Sequence, residues 1–179
     1  MRKGFSYAFD WQTYVEDGLM GEAERRGSPL IEGLAFYNPD TPMFSHDLDK
    51  AEEHLRAPWG GQVWEKGFTF TMLYVPGNVA RKTACEIVAE NLYAINPEFQ
   101  VSTRPTERTT CLRKIHVREM PILDVGWTLD YPHPNNAVFT FMHRESSIAD
   151  NQSYGSAELD AKIKAAFEET DPVQQQAKY

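Results

Sequence analysis

Between Phe68 and Gly126 the chain alternates between two hydrophobic patterns, and that alternation leaves few folds open. Phe68–Val75 (FTFTMLYV) is a β-branched and aromatic run of strand length, closed by Pro76-Gly77-Asn78, a turn sequence. Ala84, Ile87, Val88, Leu92 and Ile95 then recur at helical spacing, with Asn78 placed to cap the helix and Pro97 to stop it. Phe99–Thr103 is a second strand. Thr109–Glu119 is a second helix, with Cys111, Leu112 and Ile115 facing inward. Pro121–Gly126 (PILDVG) is a third strand. A β-α-β-α-β order predicts an α/β fold, with a small mostly parallel sheet flanked by helices.

The flanking segments add helices. Phe5, Ala8 and Phe9 share one helical face, and Asp10 can cap a second helix running to about Met20. Residues 27–46 hold Gly27, Pro29, Gly33, Pro39 and Pro42, too many breakers for a regular element. Asp47 can cap a short helix carrying Leu48, Ala51 and Leu55 inward. Ala137–His143 reads as a short helix. Ser156 caps another, whose buried stripe is Leu159, Ile163, Ala166 and Phe167, and Asp171-Pro172 opens a last one. A length of 179 residues fits one domain.

Several functions are excluded. With 18 Lys and Arg against 26 Asp and Glu, the net charge is −8, and a phosphate backbone would be repelled, so nucleic acid is not an expected partner. No stretch approaches the roughly 20 apolar residues of a membrane-spanning helix. Residues 1–20 are amphipathic rather than a secretory signal. The five histidines are scattered, with no helical pair and no CxxC, so neither a metal nor another cofactor is expected. Cys85 and Cys111 read as two free, buried thiols. There is no GxSxG elbow, Walker loop or GxGxxG, and no catalytic residue is assigned.

Ligands of open parallel sheets collect beyond the carboxyl ends of strands, which points to Gly126–Tyr131. Trp127 offers a flat apolar face, Asp130 a carboxylate, and Tyr131 a ring with a hydroxyl. No partner base or nucleophile lies within the segment, so its content suits binding more than bond-breaking.

The ten residues Gly126-Trp127-Thr128-Leu129-Asp130-Tyr131-Pro132-His133-Pro134-Asn135 resemble the GW-x-x-DYPDP-x-N signature of extracytoplasmic solute-binding proteins of peptide-type ABC transporters. Arg2–Asp10 is similar to that family's R-x-A-x-x-YAID helix. Gly21-Glu22 with Ser28-Pro29 and Gly33-Leu34 is similar to its G-x…P…G stretch, and Asp47-Lys50-Ala51-Leu55 to its D-x-x-KA-x-x-LL helix. Gly77-Asn78-Ala80-Arg81 and Tyr154–Asp160 follow in the same order.

The resemblance implies a periplasmic-binding-protein-like lobe. Residues 1–179 would be a single C-terminal, ligand-facing lobe of a longer chain, and the N-terminal lobe would be the other half of its cleft. It implies a location outside the cytoplasm, periplasmic or lipid-anchored through the preceding part, and a membrane permease as partner. It makes Trp127, Asp130, Tyr131 and Asn135 the expected ligand-binding residues, with Asp130 meeting the amino terminus of a peptide. This chain departs from the pattern twice. The loop Val75-Pro76-Gly77-Asn78 lacks the Arg with which dipeptide-binding members meet the ligand carboxylate, and His133 replaces the signature's second Asp. Longer peptides gripped by backbone, or a sugar stacked on Trp127, therefore stand beside dipeptides as ligand classes. A ligand-sensing receptor of the same fold is the alternative role. A small hydrolase using Asp124 or Asp130 is the least favoured.

Overall fold

The computed structural model describes residues 1–122, 124 and 126–179. The chain forms two compact units, Met1–Arg25 with Phe44–Val125, and Arg26–Met43 with Gly126–Tyr179.

The first unit opens with α1 (Arg2–Ala8). Asp10 then caps α2 (Trp11–Thr13), its Oδ1 accepting from the N–H groups of Gln12 and Thr13, both at 3.1 Å. Here the sequence expectation of one regular helix to Met20 is corrected. After Thr13 the chain widens into a π-turn, Tyr14–Gly18, closed by Leu19 N–H donating to the Tyr14 carbonyl at 3.1 Å. The widening accompanies packing of the Tyr14 ring on Phe9 (centroids 5.4 Å apart) and over the buried Gly18, contacts that periodicity does not register.

Next come α3 (Leu48–Arg56), capped by Asp47, and α4 (Gln62–Lys66). The expected strand, helix and second strand follow as β1 (Phe68–Tyr74), α5 (Val79–Ile95) and β2 (Phe99–Pro105). The two strands are parallel, with Phe68 opposite Phe99 and Tyr74 opposite Pro105. Among the described residues the sheet has these two strands. Of the expected third strand, Leu123 and Val125 lie outside the described residues.

Helix α5 is the crossover between the strands and packs on β2, while α1 packs on α3. Its inward face carries Ala84, Cys85, Ile87, Val88 and Leu92. These join Ala8, Ala51, Leu55, Met72 and Phe99 in the core. Two asparagines lock the surroundings. Asn91 Nδ2 donates to the Ala8 carbonyl at 2.8 Å, and buried Asn96 donates to the Trp64 carbonyl at 2.9 Å while accepting from Glu98 N–H at 3.0 Å. Both cysteines are free and buried, as expected. Helix α6 (Arg108–His116) buries Cys111, but Leu112 is exposed. Its nine residues present a narrow inward face centred on Cys111, and Leu112 lies about 100° around the helix from it.

The second unit combines the irregular segment 26–43 with α7 (Pro134–Met142), α8 (Ser147–Asn151), α9 (Ala157–Glu168) and α10 (Pro172–Lys178). Ser156 and Asp171 cap α9 and α10 as their sequences predict. Arg144 clamps Asp160, its backbone N–H and Nε donating to the two carboxylate oxygens at 3.1 and 2.6 Å. Desolvation pushes the Asp160 carboxyl up, but these bonds together outweigh it and hold the carboxyl below its usual range. Ile163 and Ala166 are buried, but Phe167 is exposed, with its ring turned edge-on to His133 (5.8 Å). The four-residue stripe is therefore corrected at both ends, since Leu159 is only half-buried and Phe167 is exposed. A Phe at the edge of a helical stripe finds lateral partners rather than a core.

Candidate functional site

The candidate site is built where the loop 126–133 meets the first turn of α7, within the second unit. The sequence stops the loop and starts the helix with one residue pair. Pro134 occupies the first helical position, where a missing N–H costs nothing. His133 is the N-cap, and its Nδ1 accepts from Asn135 N–H at 3.1 Å. This explains the departure at His133. A cap needs a side-chain acceptor, and an imidazole with a bare Nδ1 supplies one where the signature has a carboxylate. His133→Ala should cost about 1 kcal/mol of stability by chemical denaturation, and His133→Asp should cost nothing. Equal losses in both would mean that the imidazole's capping bond is not what it contributes.

The residue that organises the site is Asn136, which sequence reading passed over. It is buried in the first turn of α7 and uses both ends of its amide. Its Oδ1 accepts from Trp127 Nε1 and from Asp130 N–H, both at 3.3 Å. Its Nδ2 donates to Asp130 Oδ2 at 3.4 Å. Two donors on one side and a carboxylate on the other leave only one orientation of the amide that satisfies all three. The Asn136 carbonyl in turn accepts from Thr140 Oγ1 at 2.6 Å, and the Thr140 carbonyl accepts from Ser146 Oγ at 2.6 Å. The chain of bonds continues from the loop into the body of the unit.

Of the four residues expected to bind ligand, Trp127 and Asp130 are thus held on one amide. Trp127 keeps 43% of its surface open, its ring edge-on to Phe141 at 6.5 Å. Asp130 is exposed. Tyr131 is 46% exposed, its carbonyl accepting from His133 N–H at 2.9 Å. Asn135 is buried in the helix start, beside Asn136. The arrangement presents a flat aromatic surface and a carboxylate with one oxygen already oriented. Asp124 belongs to the first unit and Asp130 to the second. The signal that could have found Asn136 is its spacing, three residues past the cap, where a helix's first-turn side chains lean back over the N-terminal loop.

Comparison with known proteins bears on this site. Residues 1–147 match the model of bacterial extracellular solute-binding proteins, family 5 middle. The chain is 22% identical over 181 residues to the probable D,D-dipeptide-binding periplasmic protein DdpA of Escherichia coli K12, covering all of this chain and 34% of that one. Among solved structures it is similar to the periplasmic binding protein DppA of Helicobacter pylori in complex with the peptide STSA (TM-score 0.84, 19% identity, 99% of this chain and 34% of that one). It is also similar to the oligopeptide-binding protein AppA of Bacillus subtilis in complex with a nonapeptide (TM-score 0.80, 23% identity, 99% and 37%). These likenesses establish the periplasmic-binding-protein type of α/β fold expected from sequence. The chain spans about a third of the length of each of these relatives. The relatives are solute-binding proteins rather than enzymes, and their family is extracellular. With the family model covering residues 1–147 of 179, the chain belongs to the bacterial extracellular solute-binding proteins of family 5.

Proposed function

We propose that this chain is the ligand-facing lobe of a longer extracytoplasmic binding protein. It forms one jaw of a cleft that closes by hinge motion on an oligopeptide or related solute and hands it, unchanged, to an ABC-transporter permease. The observation that carries this reading is the pairing of Asp130 and Trp127 on Asn136. A carboxylate fixed beside an open indole is suited to a peptide amino terminus, with the ammonium on the carboxylate and the first side chain on the ring. Such a charge-assisted bond strengthens once the closed cleft excludes water. The coverage of about a third of each relative supports a partner lobe elsewhere in the longer chain. The open face of Trp127 also suits a stacked sugar, which gives the second reading.

The test uses the complete binding protein and calorimetric titration of oligopeptides. Asp130→Asn should weaken peptides with a free amino terminus by about 1.5–3 kcal/mol, roughly 10- to 150-fold, and leave amino-acetylated peptides unaffected. Unchanged affinity for free peptides in that variant would remove Asp130 from the site. Saturable binding of oligosaccharides but not peptides would favour the second reading.

A further inference from the structure

The first unit contains a pocket, open to solvent, that is lined by residues of that unit alone. It measures about 390 Å³ and is lined chiefly by Phe5, Phe9, Met72, Val88 and Ile122, with Asp124 and Tyr14 as its ionisable groups. Asp124 is anomalous there. Its Oδ2 is buried and has no hydrogen-bond partner among the described residues. A buried carboxylate oxygen without a hydrogen-bond donor is costly, and native proteins leave few such atoms. Burial pushes the Asp124 carboxyl pKa up, and the Arg81 guanidinium offsets this only in part. Neighbouring groups feel the Asp124 charge. Burial and then the Asp124 charge push the Tyr14 hydroxyl up, and the same two causes in the same order raise the Cys85 thiol to about 11.

We propose that this cavity is a second ligand site, taking a small organic ammonium ion with an apolar body. The ammonium meets Asp124, and the body lies against Phe5, Phe9, Met72 and Val88. Three features select this class. A neutral apolar guest would fill the space and leave Asp124 unpaired. A hard metal cation needs several oxygen ligands, and among the described residues no group of three His, Cys, Asp or Glu stands together to hold one. The pocket is open on one side, and its volume is more than twice the roughly 150 Å³ of an enclosed cavity that accommodates benzene, which leaves room for a ring and a short aminoalkyl arm.

The test needs no knowledge of a natural ligand. The chain is titrated with 2-phenylethylamine and with its neutral isostere 2-phenylethanol, following the Met72 methyl and Tyr14 ring signals by NMR. The amine should give saturable shifts, and the alcohol should bind at least about tenfold more weakly. Asp124→Asn and Asp124→Leu should each cancel the amine's advantage while preserving the alcohol's weak binding, and the Leu variant keeps the cavity apolar should the Asn variant fold poorly. Asp130→Asn should change none of this, which separates the result from that of the peptide site. Equal binding of amine and alcohol to the unaltered chain would overturn the proposal and leave an apolar cavity only. So would an amine preference that survives both Asp124 variants, or the absence of any saturable shift.

Discussion

Gly67→Ala is expected to unfold the first compact unit under conditions where the unaltered chain is folded, at a cost of about 3–5 kcal/mol. Gly67 ends α4 with φ 66° and ψ −165°, a backbone conformation that essentially only glycine adopts. A Cβ there would stand 2.1 Å from the Glu98 carbonyl oxygen and 2.7 Å from its carbon, both backbone atoms that cannot swing away. That same oxygen accepts from Phe68 N–H at 3.2 Å, at the entrance to the sheet. Moving it disturbs the pairing of Phe68 with Phe99, whose rings stack with centroids 4.4 Å apart, and Phe99 is fully buried. Strain, clash and a disturbed core pair therefore fall on one methyl group. Gly77→Ala is the control. Gly77 also has a positive φ (83°), but nothing lies within 4 Å of its added Cβ, so the cost should be only about 1 kcal/mol. Urea denaturation followed by circular dichroism compares the two. Similar losses would mean that the close approach at Glu98 does not fix the sheet. Small domains are stable by about 5–15 kcal/mol, so the larger value would be severe.

What was legible in the sequence was local chemistry. The strand read at Phe68–Val75 is β1, because a β-branched and aromatic run bounded by Gly67 and Pro76-Gly77 has no competing structure. The apolar face of α5 was read from its spacing, and Ala84, Ile87, Val88 and Leu92 are buried there. The caps at Asp10, Asp47, Asn78, Ser156 and Asp171 all accept backbone hydrogen bonds, since an acceptor just before a helix satisfies donors that nothing else reaches. The errors arose where tertiary contacts decide. Spacing places Leu112 and Phe167 on apolar stripes but does not say how wide a face the fold covers. Nothing in residues 11–18 announces a π-turn, because its partner is the Phe9 ring. The site was half legible. Trp127 and Asp130 stood out as residue types, while Asn136 looked like one of two ordinary asparagines at a helix start, and only the fold of the loop back over α7 distinguishes it from Asn135.

Asn136→Ala is expected to disorganise the candidate site more than any change to the residues it holds. Removing the amide strips the partner from Trp127 Nε1 and from Asp130 N–H together, and leaves Asp130 Oδ2 without its donor. Each bond is worth about 0.5–1.5 kcal/mol, and Asn136 is buried, so a loss of about 2–3 kcal/mol in stability is expected. In the complete binding protein the affinity for peptides should fall at least about tenfold, because a loop that must be ordered on binding draws on the binding energy. A second substitution separates the bonds from the bulk. Asn136→Asp keeps the shape and the acceptor for Trp127 and Asp130 N–H, but sets a second carboxylate against Asp130 Oδ2, where the 3.4 Å bond now lies. Two carboxylates at that distance share a proton, which raises the apparent pKa of the pair in the folded state. Folded-state pKa values raised above unfolded ones give stability that is fully present below the unfolded value and is lost as pH rises through the folded one. Asn136→Asp should therefore approach the unaltered chain in acid and fall below it toward neutral pH, whereas the loss in Asn136→Ala should be similar at both. Indole N–H resonances report the change directly, since the Trp127 signal should shift in both variants at pH 7 and return in Asn136→Asp alone on acidification. A Trp127 signal indifferent to both substitutions would mean that Asn136 does not hold the ring, and the candidate site would lose its organising residue.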